Sequence, residues 1–428
     1  MLLGSSRRRG SGQLFGKSGV HTRALALLLT CCPLLAAADD GAAAAPAKRE
    51  VKAHLQMMAQ LPFLTPRDAL GEGVKLALVG GKAKLSLPVK DGGVTVFYAQ
   101  GNVAVVPGDA AGVGNAVAIP VPKEGFSQAL ALDLPCTDGS TTKAALAFAR
   151  GKDNSELLCR NLAVVAAQVD RHAVCVVDDN CNGKYNDAGE DAIIIDAGRL
   201  AAPLGQTVML GNVPHKIEVA ENGQKMTFTP APAKTGLAGL VSEEAYAAVL
   251  AGAVLKGSDG SCFPLLPNTA MSLPTGGYIL AFASLTDGAG HKAVIKDGDL
   301  KVNVAEGNVP AVVKLGPPKL QFAFKINAEA RNVTLTAAGA DGMKCDGGKL
   351  TYLFATPQAT IRFIDQSQTI RRIVGSLSVD MEGKEPSTTF SPNSYGMLWG
   401  NSYLAEMIWP MGIGPVLYSF VNLPLPAR

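Results

Sequence analysis

Residues 74–107 read VKLALVGGKAKLSLPVKDGGVTVFYAQGNVAVVP. The runs VKLALVG, AKLSLPV, VTVFYA and VAVVP are apolar throughout or alternate apolar with polar, and Gly-Gly, Asp-Gly-Gly and Gly-Asn separate them. Side chains on a strand point to alternate faces, so such runs bury one face of a sheet, and a glycine-centred turn reverses the chain after each. The pattern continues through ALALDLP, AALAFA, HAVCVV, DAIIID, QTVMLG, HKIEVA and MTFTP. Glu221-Asn222-Gly223-Gln224 sets Asn-Gly at the centre of a hairpin turn.

From Gly276 the same period returns in GGYILAFASL, HKAVIKDG, LKVNVAEG, AVVKLG, LQFAFKINA, RNVTLTAAG, LTYLFAT, ATIRFIDQ and IVGSLSVD. Turn residues recur at the spacing of sandwiches and barrels. The expectation is therefore a mainly β protein with two β-sandwich-like domains, over 73–230 and 239–428, joined by a linker at Pro230–Ala238 (PAPAKTGLA). Two helices are also expected. Val51–Phe63 (VKAHLQMMAQLPF) puts Val51, Leu55, Met58 and Leu61 on one helical face, with Pro62 and Pro66 ending it. Val241–Leu255 is Ala-rich and contains Ser242-Glu243-Glu244, a helix-capping run, with strands as the competing reading.

Composition supports the β reading. Charged residues are 18% of the chain, below the usual quarter, while Gly (47) and Pro (26) are plentiful, as many short strands and turns require. The formal charge of +3 comes from one end. Arg7, Arg8, Arg9, Lys17 and Arg23 all precede Asp39, no acid does, and the remainder is slightly acidic. That balance, with no basic cluster, argues against nucleic-acid binding and against a polybasic membrane contact.

Residues 1–38 read as a secretory signal peptide. A basic stretch ends at Arg23, an apolar run follows from Ala24 to Leu35, and Ala36-Ala37-Ala38 supplies small residues for cleavage before Asp39-Asp40. The apolar run is too short to span a bilayer. Arg7-Arg8 lacks the apolar pair of a twin-arginine signal, and Thr30 and Cys31 poorly suit lipidation of Cys31 or Cys32. A secreted, periplasmic or cell-envelope location follows, with no transmembrane segment in the mature chain. Residues 39–72 then read as an Ala-rich tether and the short helix.

Export permits disulfides among Cys136, Cys159, Cys175, Cys181, Cys262 and Cys345. Sequence does not select their pairing. Cys136 with Cys159 would close a hairpin, and Cys175 with Cys181 would brace the loop between them. Zinc-ribbon and thioredoxin-type sites are not indicated, because there is no C-x-x-C.

The clearest chemistry lies at Val176-Val177-Asp178-Asp179-Asn180-Cys181-Asn182-Gly183-Lys184-Tyr185-Asn186-Asp187-Ala188-Gly189-Glu190-Asp191. Oxygen-bearing residues alternate at Asp178, Asn180 and Asn182, and Gly183 follows where the chain must turn sharply. That order matches the first half of the D-x-[DN]-x-[DN]-G calcium loop. It resembles the EF-hand-like loops that lie between strands in secreted bacterial β proteins. The resemblance implies calcium held by Asp178, Asn180 and Asn182 side chains, the Lys184 carbonyl, and Asp187 or Asp191. It departs from the EF-hand in having Gly189 where the closing Glu stands, and in being flanked by strands. Two Asn in place of Asp lower the ligand charge, which implies affinity of about millimolar order, suited to a structural ion outside the cell. A metal-free Asn/Asp/Gly turn is the competing reading.

The run LPTGGYILAF resembles a strand of immunoglobulin- or transthyretin-like modules. His54, His172, His215 and His291 show no zinc-ligand spacing, and nucleophile-elbow, phosphate-loop and dinucleotide motifs are absent. The functional expectation is a non-catalytic extracellular β protein with a structural calcium loop and a protein or glycan partner at the cell surface. One alternative is a carbohydrate-binding or glycan-acting protein using Trp399, Trp409 and Tyr403, although such aromatics more often form a core. Another is a hydrolase whose site is assembled from residues distant in the chain, which sequence does not reveal.

Overall fold

A computed structural model describes residues 47–428 apart from 90–91, 115, 124, 136–140, 152–154, 197, 243–249, 287–291, 297, 316–322, 330–331, 339–342, 346–347, 353–357, 366–371, 381–386, 410–416, 426 and 428. The leader and Cys136 thus lie outside the described residues. In chain order the first part holds β1 (Arg49–Lys52), β2 (His54–Met57), α1 (Pro66–Leu70), β3 (Val74–Ala77), β4 (Lys82–Leu85), β5 (Val94–Ala99) and β6 (Asn102–Pro107). It continues with β7 (Ala118–Pro120), β8 (Leu130–Pro135), β9 (Thr141–Arg150), β10 (Glu156–Asn161), β11 (Ala163–Val169) and β12 (His172–Val177). β13 (Ala192–Ile195), β14 (Ala202–Pro203), β15 (Thr207–Leu210), β16 (Val213–Val219) and β17 (Lys225–Pro230) complete it.

These strands pair antiparallel as β3-β10-β9-β8, β4-β5-β6-β7, β14-β13-β12-β11-β2 and β1-β17-β16-β15. The first two sheets face each other across a core of Val94, Val96, Val103, Val105, Leu146, Phe148 and Leu157. The last two enclose Val165, Val174, Val176, Ile193, Ile217, Met226 and Phe228. The opposite face of the β12 sheet packs Val164, Cys175, Val177 and Ile194 against Ala145 and Ala147 of β9. Burial on both faces explains why HAVCVV is almost wholly apolar rather than alternating. The one-sided pattern survives in β4, where Lys82 and Lys84 are exposed and Ala83 and Leu85 buried.

Beyond Pro230, Thr235–Ser242 lies between Ala270–Pro274 and Gly307–Leu315, the latter parallel to it. Leu250–Gly257 and Gly276–Thr286 form the centre of a larger sheet. These elements bury Leu240, Leu255, Leu273, Leu280, Leu285 and Val313. The molecule is mainly β with sandwich-like packing, as the strand periodicity predicts. Tyr278, in the LPTGGYILAF run, is buried and donates its hydroxyl to the Pro274 carbonyl at 2.6 Å. No helix among the described residues is long and apolar enough to cross a membrane.

Three expectations need correction. Val51–Phe63 is not helical: β1 pairs with β17, and β2 with β11. Ala53 between them donates to the Gln224 carbonyl at 2.9 Å. Segments this short fit both periods, and the backbone bonds offered by two open sheet edges outweigh helix propensity. Pro66 starts a helix instead of ending one. Thr65 caps α1 through the Asp68 amide, Pro66 occupies the first turn, and Gly71 closes it in the left-handed region. The linker stops short of its expected end, since a strand begins at Thr235. Val241, Ser242 and Leu250–Leu255 are strand, not helix, while 243–249 lie outside the described residues.

Candidate metal centre

β12 and β13 pair with Val177 opposite Ala192. The next residue outward on each strand is an aspartate, so register sets Asp178 and Asp191 side by side at the mouth of the loop. Both are fully buried. Asp178 Oδ1 accepts from the Asn182 amide at 3.0 Å, and Oδ2 from the Gly183 amide at 2.7 Å and Asn161 Nδ2 at 3.2 Å. Asn180 Oδ1 accepts from the Asn182 amide at 3.1 Å, and Asn182 Oδ1 from the Lys184 amide at 2.8 Å. These short polar side chains coil the backbone around their own oxygens.

Asp187 Oδ2 receives the Asn180 amide group at 3.0 Å and that of Asn182, and these bonds hold its carboxyl below the usual range. Asp191 Oδ2 accepts from the Asp187 backbone amide at 2.8 Å. Asp191 Oδ1 is buried without a hydrogen-bond partner. Burial pushes Asp191 up to about 8 and Asp178 to about 6. The loop therefore gathers Asp178, Asn180, Asn182, Asp187 and Asp191 in one hydrogen-bonded coil. The Lys184 side chain leaves it to pair with Glu221 at 3.0 Å. No three His, Cys, Asp or Glu among the described residues converge as a ligand cluster by themselves.

Gly183 is fixed by two requirements. Its φ is +80°, and an added Cβ would lie 2.2 Å from Pro88 Cδ. Gly223, in the β16–β17 hairpin that the Asn-Gly pair predicts, has φ +71° and would carry a Cβ 2.7 Å from Val165 Cγ1. The Glu221 carbonyl of this hairpin accepts from the Tyr185 amide at 3.0 Å.

The coil is anchored on every side. Asp179 is buried, accepts from the Arg67 amide at 3.0 Å and from the Thr65 hydroxyl, and is pushed up to about 7 by burial. Arg67 also pairs with Glu190. Arg160 holds Asp68 at 3.0 Å and stacks on Phe126. Leu204 donates to the Asp191 carbonyl at 2.7 Å and accepts from Gly189 at 2.8 Å. Asn161 serves the site from β10: besides Asp178, it bonds the Tyr185 side chain and accepts from the Ala163 amide at 2.9 Å. Thr65, Arg67 and Asn161 lie far from the loop in sequence, and no local pattern marks them.

Cys159, Cys175, Cys181 and Cys262 are buried, and no disulfide joins them. The expected Cys175–Cys181 brace does not form, because the two thiols occupy different cores. Cys136 lies outside the described residues, as does the Cys345 side chain. Of the proposed sugar platform, Tyr403 is 2% exposed, in the core, with its oxygen accepting from the Leu398 amide at 2.7 Å. Trp399 packs partly buried against the same core, and the Trp409 side chain lies outside the described residues. A ring as buried as Tyr403 cannot stack on a sugar.

No family model and no curated protein matches the chain. Among solved structures, a putative carbohydrate binding protein from Bacteroides uniformis aligns over 46% of this chain and 100% of its own, with 9% identity and a TM-score of 0.17. Dimeric latent PorU from Porphyromonas gingivalis aligns over 90% of this chain and 34% of its own, with 10% identity and a TM-score of 0.20. A Ca2+-stabilized, ice-binding adhesin of an Antarctic bacterium aligns over 77% and 94%, with 9% identity and a TM-score of 0.17. Likenesses at this level carry no functional argument, and the chemistry of the loop has to be read from its own residues.

Proposed function

We propose that this is a non-catalytic, exported or cell-envelope β protein in which the Asp178–Asp191 loop binds a structural calcium ion. One observation carries the reading: Asp191 Oδ1 is buried with no donor, beside a second fully buried carboxylate at Asp178. Leaving buried charge uncompensated is costly, and a cation supplies the compensation. Asp178, Asn180, Asn182 and Asp191 would hold the ion with the Lys184 carbonyl. Each amide oxygen has spent one lone pair on a backbone N–H and keeps another. Asp187 already has amide donors, which favours Asp191 as the closing acid. Calcium there would neutralise buried charge and lock the β12–β13 hairpin to α1, β10 and the β16–β17 turn.

The corresponding partner would be a protein or glycan outside the cell. Thermal melts in chelator and in about 10 mM calcium test the metal. With millimolar affinity, mass action gives about 1.4 kcal/mol, or about 2 °C for a unit of this size. Identical midpoints would remove the calcium assignment.

A further inference from the structure

We propose that Cys159 and Cys181 are a disulfide pair that ties the loop to β10. Cys181 stands between Asn180 and Asn182, so its side chain leaves the coil while its neighbours turn into it. That side chain is 1% exposed and enters the core between the β3–β10 and β4–β7 sheets, where Cys159 of β10 is 0% exposed. The two thiols are in hydrogen-bonding contact. Cys181 also has a left-handed backbone, φ +56°, a conformation that glycine or asparagine adopts at far less cost. A cysteine at this position, with its thiol against another, is accounted for by a bond between them. The pairing differs from both pairings that sequence spacing suggests.

The reaction is thiol–disulfide exchange. One cysteine, as thiolate, attacks a disulfide of the oxidant, either an envelope thiol–disulfide oxidoreductase or oxidised glutathione, and forms a mixed disulfide. The second thiolate displaces the oxidant's remaining sulfur. The protein loses two protons and two electrons, and the oxidant's disulfide is reduced to two thiols. Both thiols are sealed from solvent in the folded chain, so exchange belongs to folding, before the loop closes against the sheet. The pairing does not depend on the calcium reading.

The test is to refold the full chain from denaturant in a buffer of reduced and oxidised glutathione with chelator present. The product is denatured, alkylated, digested and analysed by mass spectrometry. The expected result is one linked peptide pair carrying Cys159 and Cys181, lighter by two hydrogens than its reduced parts. In the Cys159→Ser chain, Cys181 is expected to be recovered alkylated. Recovery of both cysteines alkylated from the unaltered chain, or of Cys181 linked to any other cysteine, overturns the pairing. Omitting calcium keeps failure of the metal reading distinguishable from failure of this one.

Discussion

Lowering the pH from 8 to 6 should stabilise this protein in chelator, the reverse of the usual behaviour of paired carboxylates. Asp191, Asp179 and Asp178 are raised in the fold to about 8, 7 and 6, with burial the largest cause in each. Their unfolded values stay near 3.8. A folded chain that takes up protons before the unfolded one gains stability as pH falls. The penalty is complete above pH 8, is relieved as pH falls through the folded values, and is gone near the unfolded value. One carboxylate with a folded value near 8 gains about 2 kcal/mol between pH 8 and 6. The carboxylates repel one another, so the first proton relieves its neighbours, and one carboxylate's share is the expected total. Calcium should invert the trend. It stabilises most at pH 8, where its ligands are ionised, and its benefit shrinks as protons displace it. Urea melts at half-unit pH steps, in chelator and in calcium, read both curves. Asp191→Asn should be more stable than the parent at pH 8 in chelator, with a flatter pH profile and no calcium response. Stability that falls steadily from pH 8 to 6 in chelator would refute the reasoning.

Other consequences are direct. Gly183→Ala should lose about 3 kcal/mol in urea melts, from left-handed strain and the clash with Pro88, together with its calcium response. Asn161→Leu, similar in volume, should lose about 1–3 kcal/mol, because it strands the buried Ala163 amide and removes a donor to Asp178. Lys184→Ala should leave the midpoint and the calcium response unchanged. Its side chain only meets Glu221 at the surface, and the proposed ligand is its carbonyl. A lost response in Lys184→Ala would place the ion elsewhere.

Most of this architecture was legible because its signals are local. Alternation in KAKL, the Asn222-Gly223 turn and the spacing of Asp178, Asn180, Asn182 and Gly183 each lie within a few residues. What escaped is non-local. Val51, Leu55, Met58 and Leu61 satisfy a helical face, but β17 and β11 each have an edge to fill, and nothing within 51–63 records them. Asn161, Thr65 and Arg67 reach the loop only after the sheets have formed. Cys181 meets Cys159, rather than the nearer Cys175, because β12 turns Cys175 towards β9 while the loop carries Cys181 across to β10.

Buried carboxylates also serve acid–base chemistry, so the geometry has to separate that use from metal binding. A cavity of about 500 Å³ lies beside the loop, lined in part by Lys143, Asn161, Asp178, Tyr185 and Glu221. A general acid or base there needs a carboxylate oxygen turned to the cavity and able to exchange a proton with its contents. Asp178 lines the cavity, and its oxygens accept from the Asn182 and Gly183 amides and from Asn161. Asp191 has the oxygen without a donor, yet it is not among the lining residues. No histidine lines the cavity among the described residues. The oxygen without a donor therefore belongs to a residue that does not line the cavity. On the proposed reading a cation within the loop would meet that oxygen, and a calcium-dependent melting midpoint is the observation that separates this use from proton transfer in the cavity.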